Sequence, residues 1–164
     1  MSIKSVLNEK SIGILIHPSS LPGGDESGTF GEGAKAWIKK LSENGIKYWQ
    51  FLPLTPTDST GSPYSSPSSF ALNPWFLDIN ELIKKRYIFA SSKEELGINI
   101  NNKNYFDFGI ADNITKNLGI HLYKAWESQS EKRKMDFCIW NKNNFWVEDY
   151  SIFMVLREEL NMLP

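Results

Sequence analysis

The sequence YWQFLPLTPTDSTGSPYSSPSSFALNPW at residues 48–75 contains a short β-strand followed by a long irregular loop. Tyr48 and Phe51 favour the strand, and Pro53 ends it because proline has no backbone N–H to donate. The loop at 53–75 is rich in Ser, Thr and Pro, and it carries the aromatic residues Tyr64, Phe70 and Trp75. Loops of this length in compact domains are usually functional or disordered. We interpret it as an ordered binding loop whose hydroxyls and aromatic faces suit a sugar. The alternative is an ordinary Pro/Ser surface loop.

The residues before this stretch predict another strand and a helix. Ile12 to Ile16 is a nearly continuous apolar run, which is typical of a strand buried on both faces of a parallel sheet. A helix is indicated by apolar residues three or four positions apart, Ala34, Trp37, Ile38 and Leu41. Asn44-Gly45 supplies its stop, because Gly45 can adopt a left-handed conformation. Strand, helix and strand in this order predict a parallel βαβ unit, so the loops after His17 and Pro53 should meet on one face.

The chain after residue 80 is predicted to be mostly helical. Asn80 is expected to cap a short helix over 81–85, and further helices are predicted at 91–96, at 108–127, around Met135, Cys138 and Ile139, and at 145–160. The last helix is predicted to have a broad apolar stripe that is larger than the rest of the chain can cover. Two strands also cannot form a parallel sheet that is buried on both faces. We therefore expect that the 164 residues are a fragment or that they pack against something else.

Composition excludes several classes of function. The net charge of −1 gives no electrostatic footprint for nucleic acid or an anionic membrane, and no apolar run approaches the roughly 18 residues of a membrane helix. The N-terminus lacks a signal peptide's apolar core, so a cytoplasmic protein is the default expectation. No Gly-rich phosphate motif is present, and His17 and His121 have no ligands at metal-site spacing, so no cofactor or metal is expected. We interpret His121 as a hydrogen-bonded helix residue.

Glycoside chemistry would require two carboxylates flanking a bond. The candidates on the expected loop face are Asp25, Glu26 and Asp58. All lie in open Gly/Ser-rich sequence with no sign of an apolar pocket that would raise an acid's pKa, so we interpret them as solvated loop carboxylates. We assign no catalytic residue. Cys138 is interpreted as a core residue, and helix-end roles are expected for Asp78, Asp107 and Asp149.

Three blocks of the sequence resemble the 4-alpha-glucanotransferases, the family of amylomaltases and disproportionating enzymes. The first is GILIHPSSLPG at 13–23. The second is KYWQFLPLTPT at 47–57, continuing through SPYSS at 62–66 to SFALNPW at 69–75. The third is WVEDYSIFMVLR at 146–157. The blocks follow the family's order and spacing, and the resemblance covers almost the whole chain.

The resemblance implies an α/β fold, the start of a (β/α)8 barrel of the TIM type that is incomplete in this chain. Residues 1–80 would hold the first two βα units with the substrate loop 53–75, and residues 81–164 a mostly helical insertion subdomain leading back to the barrel. The family transfers α-1,4-glucan segments between maltodextrins by a retaining double displacement, without a cofactor. Its catalytic carboxylates come from later strands, and their motifs are absent here.

The resemblance therefore implies the N-terminal part of a glycosyltransferase that is inactive alone. Its partners would be α-1,4-glucans and the missing C-terminal part of the barrel, with no nucleic acid and no membrane. The alternative from another functional class is a non-catalytic glucan-binding or interaction module.

By the same resemblance, Tyr64 would stack against the glucose at the cleavage point, and Ser62 would line the same groove with its hydroxyl. Residues expected to shape the loop floor are Trp49, Asn73 and His17. The family often has Gly-Asp-Ser-Pro-Tyr-Gln where this chain has TGSPYS at 60–65, so a carboxylate and an amide are absent. Ser59 stands where some members carry an aromatic residue for a second glucan site.

Overall fold

The structure, a computed structural model, describes residues 10–22, 28–58, 60–96 and 108–160. Strands β1 (Gly13–Leu15) and β2 (Tyr48–Gln50) pair in parallel, with Gly13 opposite Tyr48 and Leu15 opposite Gln50. The helix between them, α1, spans Glu32–Glu43. The predicted strand, helix and parallel strand are therefore confirmed.

The sheet is much more exposed than the apolar run at 12–16 predicts. The side chains of Ile12 and Leu15 are 68% and 57% exposed. Within the described residues, β1 and β2 form a two-stranded sheet, so no further strand covers their outer edges. The expectation of burial on both faces is wrong for this chain by itself, because burial of a parallel strand requires neighbours on both sides.

Helix α1 follows its predicted pattern. Ala34 and Leu41 are buried, whereas Ile38 on the same stripe is 54% exposed. The helix ends at Asn44, whose side-chain Nδ2 donates to the backbone oxygen of Lys40 at 2.8 Å. Gly45 then adopts a φ of +70°, as the sequence predicts for the residue after the helix.

Helices α2 (Ile79–Lys84) and α3 (Ser92–Glu95) begin the helical part. The cap of α2 is Asp78, whose Oδ1 accepts from the backbone N–H of Glu81 at 2.9 Å, so the expectation that Asn80 caps it is wrong. Ser91 precedes α3 without a capping hydrogen bond from its side chain. The main core cluster consists of Ile79, Ile88, Leu96 and Leu118. It joins the region of α2 and α3 to the helix that begins at Phe108.

Helices α4 (Phe108–Trp126), α5 (Glu131–Asn143) and α6 (Val147–Glu159) complete the described part. No residue of α5 or α6 is buried. Cys138 is exposed, so its interpretation as a core residue is wrong. The ring of Phe137 in α5 contacts Trp126, and Tyr150 in α6 contacts Trp146, so these helices are partly covered. Half or more of the side chain is exposed for the α6 residues Ile152, Val155 and Leu156.

Among the described helices, none is both long enough and apolar enough to cross a membrane.

Candidate functional site

The loops that follow β1 and β2 meet at the C-terminal end of the sheet, as predicted. The backbone N–H of Phe30, from the first loop, donates to the oxygen of Phe76 at 2.9 Å. The Phe76 ring also lies edge-on to His17, with centroids 5.4 Å apart, and to Phe30 at 5.7 Å. These contacts join the end of the 53–75 loop to both ends of the loop after β1.

Trp49 and Asn73 each make a contact that orders the base of this region. Trp49 Nε1 donates to the backbone oxygen of Ile16 at 2.8 Å, which ties the middle of β2 to the end of β1. Asn73 is 5% exposed, its N–H donates to Leu54 O at 2.7 Å, and its Oδ1 accepts from the N–H of Trp75 at 3.0 Å. The two ends of the 53–75 loop are therefore held together by an internal backbone hydrogen bond.

Asp58 organises the turn that precedes Ser62. Its Oδ1 accepts from Thr60 Oγ1 at 2.6 Å, from the N–H of Thr60 at 2.9 Å and from the N–H of Ser62 at 3.4 Å. Hydrogen bonds from the side chains of Thr60 and Ser65 lower the pKa of the Asp58 carboxyl below its ordinary value. A carboxylate with a lowered pKa is unsuited to donate a proton at neutral pH, which favours the structural interpretation of Asp58.

The structure brings Tyr64 and Ser62 together in one turn. The N–H of Tyr64 lies 3.4 Å from Ser62 Oγ, and the N–H of Ser65 donates to Ser62 O at 3.2 Å. Ser62 is partly buried, whereas Tyr64 is 75% exposed. The backbone of the turn is thus held by local hydrogen bonds while the Tyr64 ring is presented to solvent, where a planar ligand face could stack on it.

Phe108 and Trp146, to which the sequence assigned no role at this loop, pack against it. Gly61 has a φ of +72°, and a Cβ added to it would collide with the ring of Phe108 at the start of α4. Trp146 lies beside Phe70 with an interplanar angle of 15° and centroids 6.0 Å apart. The sequence carried only the general signal that Gly61 fits a left-handed turn and that Phe108 opens a helix.

Two polar atoms close to the loops are buried without a hydrogen-bond partner among the described residues. They are His17 Nδ1 and Thr57 Oγ1. Burial lowers the pKa of His17, which favours the neutral imidazole at pH 7. His17 therefore fits the loop floor as a neutral ring packed on Phe76.

The described part of the chain contains no group of three or more His, Cys, Asp or Glu side chains placed to hold a metal ion. His121 Nε2 lies 3.7 Å from Glu95 Oε2, which connects α4 with α3. Asp25, Glu26, Ser59 and Asp107, which the sequence analysis considered, lie outside the described residues.

Comparison with known proteins identifies the family. The family model described as 4-alpha-glucanotransferase matches residues 16–163. The 4-alpha-glucanotransferase of Clostridium butyricum is 35% identical over 148 residues, which are 90% of this chain and 30% of that protein. The 4-alpha-glucanotransferase of Thermus thermophilus is 31% identical over 157 residues, 94% of this chain and 30% of that protein.

A solved structure agrees with the sequence matches. The amylomaltase from Streptococcus agalactiae in complex with acarbose superposes with a TM-score of 0.78 and 29% identity, covering 92% of this chain and 30% of that one. This chain therefore spans about 30% of the length of these relatives and corresponds to an N-terminal portion of them. The chain belongs to the 4-alpha-glucanotransferase family, a family of glycosyltransferases.

Proposed function

We propose that this chain provides the first two strands and the substrate loop of a (β/α)8-barrel 4-alpha-glucanotransferase. The complete enzyme transfers α-1,4-glucan segments between maltodextrins by a retaining double displacement. In this proposal the catalytic carboxylates come from a portion of the barrel outside this chain, so residues 1–164 are inactive alone. The ligands are α-1,4-glucans, and no cofactor takes part.

The observation that carries the proposal is the placement of Tyr64. Its ring is 75% exposed, although the backbone that carries it is ordered by hydrogen bonds to Asp58 and Ser62. It lies in the loop that leaves the C-terminal end of a parallel strand, the end at which βα-barrels and open sheets bind ligands. A fixed, exposed aromatic face with a hydroxyl nearby suits a pyranose ring, which has apolar C–H faces and polar edges.

The open sheet supports the existence of further strands. Beside β2 lies a groove of about 650 Å³, lined in part by Leu41, Ile46, Tyr48 and Trp49. Ile12, just before β1, and Leu15, on β1, are more than half exposed. Strands of a parallel sheet are normally covered on both faces, so these apolar surfaces suit the strands and helices that would complete a barrel.

The ligand class is supported by the likeness to the amylomaltase that was solved with acarbose. Asp58 supports the part of the proposal that places the catalytic carboxylates outside this chain. It is the one candidate carboxylate of the loop face within the described residues, and its pKa is lowered by hydrogen bonds to its own turn. The proton donor of a glycosidase-like reaction needs a raised pKa instead, so Asp58 is unsuited to that role, which agrees with catalytic carboxylates that come from outside this chain.

The proposal is tested with a chimera in which residues 16–163 replace the matching portion of the Clostridium butyricum relative. The chimera should convert maltotriose into glucose and longer maltodextrins, while the isolated 164-residue chain should release neither. The parent relative serves as the positive control. A chimera that is folded by circular dichroism and monodisperse but has no transferase activity would contradict the proposal, as would activity of the isolated chain.

The alternative, a non-catalytic glucan-binding module, is favoured by the same exposure of Tyr64. It requires that the isolated chain bind maltodextrin by itself. Isothermal titration with maltoheptaose separates the two functions when it is combined with the chimera assay. Tight, Tyr64-dependent binding by the isolated chain together with an inactive chimera would support the module.

A further inference from the structure

The turn that carries Ser62 and Tyr64 rests on the first residue of α4. At Gly61 the side-chain position is occupied by the ring of Phe108, so the backbone of the turn lies directly on that ring. Gly61 also has a φ of +72°, a left-handed conformation that glycine adopts without strain. Any other residue here would strain the backbone and place its Cβ against the Phe108 ring. The turn and the ring are therefore fitted to each other across 47 sequence positions.

The same ring is itself held in place from the loop. Trp75, at the far end of the 53–75 loop, lies against Phe108 with centroids 5.6 Å apart. The indole Nε1 of Trp75 donates to Asp112 Oδ1 at 2.9 Å, one helical turn after Phe108. Phe108 thus lies between the Gly61 turn and Trp75, and it connects two parts of the loop to the start of α4.

A second contact orders the middle of the loop. Phe70 lies nearly parallel to Trp146, with centroids 6.0 Å apart, and edge-on to Phe145 at 5.8 Å. Both contacts come from the segment between α5 and α6. They fix the loop six residues after Tyr64, whereas Phe108 fixes it three residues before.

We propose that Phe108 is a positioning residue for glucan binding, which acts by fixing the Gly61 turn and through it the Tyr64 ring. This inference rests on the proposed function, because it assigns Phe108 a role in glucan binding. The local hydrogen bonds of Asp58 set the shape of the turn, but they connect residues only two to four positions apart. They do not determine where the turn lies relative to the rest of the protein, and the Phe108 ring does.

If Phe108 were only a core residue, its loss would lower the stability of the whole chain and not mainly that of the loop. Phe108 is 41% exposed and lies outside the main core cluster of Ile79, Ile88, Leu96 and Leu118. Its loss should therefore affect the loop more than global stability. A positioning residue changes local order at Ser62 and Tyr64, whereas a core residue lowers the stability of all regions together.

The first test measures amide hydrogen exchange in the intact 164-residue chain by NMR. The reporter is the Ser65 amide, which donates to Ser62 O. In Phe108→Ala it should exchange faster by a factor of about 2 to 10, the range that corresponds to one aromatic contact. Phe108→Leu, which keeps most of the volume, should restore most of the protection. Amides in the core helices should be unchanged.

The matched control is Tyr87→Ala, after α2. Tyr87 is 40% exposed, close to the 41% of Phe108, and its ring carries the Arg133 guanidinium at 4.3 Å, a contact that does not involve the loop. Its removal should leave exchange at Ser65 unchanged. Equal exchange at Ser65 in Phe108→Ala and wild type would overturn the proposal, and so would an equal effect of Tyr87→Ala.

A variant on the loop side keeps the proposal testable if Phe108→Ala fails to fold. Gly61→Ala places a methyl group against the ring and strains the left-handed turn. If the ring positions the turn, the effect of Gly61→Ala on Ser65 amide exchange should depend on the residue at position 108. The increase should be larger in the chain that has Phe108 than in the Phe108→Leu variant. Strictly additive effects would show that Gly61 and Phe108 act independently and would overturn the proposal.

The functional readout uses the chimera. Phe108→Ala should raise KM for maltotriose, lower kcat/KM and leave the unfolding temperature nearly unchanged, with Phe108→Leu restoring kcat/KM. A loss of kcat/KM that only parallels lost stability, or is not restored by Leu, would indicate a structural role and overturn the proposal. An inactive chimera would contradict the proposed function but not the positioning role, which the exchange measurements decide separately.

Discussion

The indole nitrogen of Trp49 donates a 2.8 Å hydrogen bond to the backbone oxygen of Ile16, so a side chain in the middle of β2 holds the chain just after β1. Ile16 also donates its N–H to Gln50 O at 3.0 Å. The two bonds extend the parallel pairing beyond the three-residue strands. They set the direction in which both loops leave the sheet.

We expect Trp49→Phe to destabilise the chain by about 1 kcal/mol, because the partly buried oxygen of Ile16 loses its indole donor while most of the packing remains. Urea unfolding followed by far-ultraviolet circular dichroism measures the change. Trp140→Phe on the exposed face of α5 is the matched control and should change stability by less than about 0.5 kcal/mol. Equal effects of the two substitutions would show that the Trp49–Ile16 bond does not stabilise the sheet.

Asp78 joins the loop after β1 to α2. Its Oδ1 caps the N–H of Glu81, and its Oδ2 accepts from Thr29 Oγ1 at 2.7 Å. Asp78→Ala should cost about 1–2 kcal/mol, since it removes a helix cap and a hydrogen bond together. Asp78→Asn should recover part of this because the amide oxygen can still cap. Asp136→Ala in the exposed middle of α5 is the control, and a cost there as large as at Asp78 would contradict the assignment.

The Asp58 turn has a defined pH dependence. The hydrogen bonds from Thr60 and Ser65 lower the folded-state pKa of Asp58 below the ordinary value of 3.8. Its contribution to stability is therefore present above pH 3.8 and is lost as the pH falls through the lowered folded-state pKa. Thr60→Val should move the pKa of Asp58 upward, toward 3.8, in an NMR titration of the carboxyl carbon. Ser66→Ala is the control, and an Asp58 pKa that does not respond to Thr60→Val would refute the assignment.

Leu118 and Leu156 distinguish the internal core from the apolar surface of α6. Leu118 is 3% exposed and Leu156 is 50% exposed. In the isolated chain Leu118→Ala should cost about 2–5 kcal/mol, and Leu156→Ala less than about 1 kcal/mol. In the chimera the cost of Leu156→Ala should rise if the rest of the barrel covers α6. An unchanged cost, measured by thermal unfolding, would mean that the barrel leaves this side of α6 uncovered.

The locally determined features of this fold could be predicted from sequence. Apolar residues three or four positions apart identified α1, namely Ala34, Trp37, Ile38 and Leu41, and the Asn44-Gly45 pair identified its end. Alternating strand and helix patterns also predicted the parallel pair and the meeting of the two loops. The cap of α2 was misplaced by two residues, since Asp78 and Asn80 are both capping residue types and only the backbone geometry distinguishes them.

Burial and long-range contacts could not be predicted from the sequence in the same way. Cys138 was assigned to the apolar face of a helix from its spacing, but spacing does not reveal whether anything packs on that face, and Cys138 is exposed. The contact between Gly61 and Phe108 joins positions far apart in the chain, so periodicity and turn chemistry carry no signal for it. The roles of Tyr64 and Ser62 came from family resemblance, and they stay predictions.

The most direct test of the account is the kcat/KM for maltotriose of Tyr64→Ala in the chimera. If Tyr64 stacks on the glucan, kcat/KM should fall by about tenfold or more, equivalent to about 1.4 kcal/mol of transition-state stabilisation, with no matching loss of thermal stability. Tyr64→Phe should retain most activity, and so should Tyr123→Ala, the control at a tyrosine that is 81% exposed on α4. Unchanged kcat/KM in Tyr64→Ala would contradict the central claim and remove Tyr64 from the site.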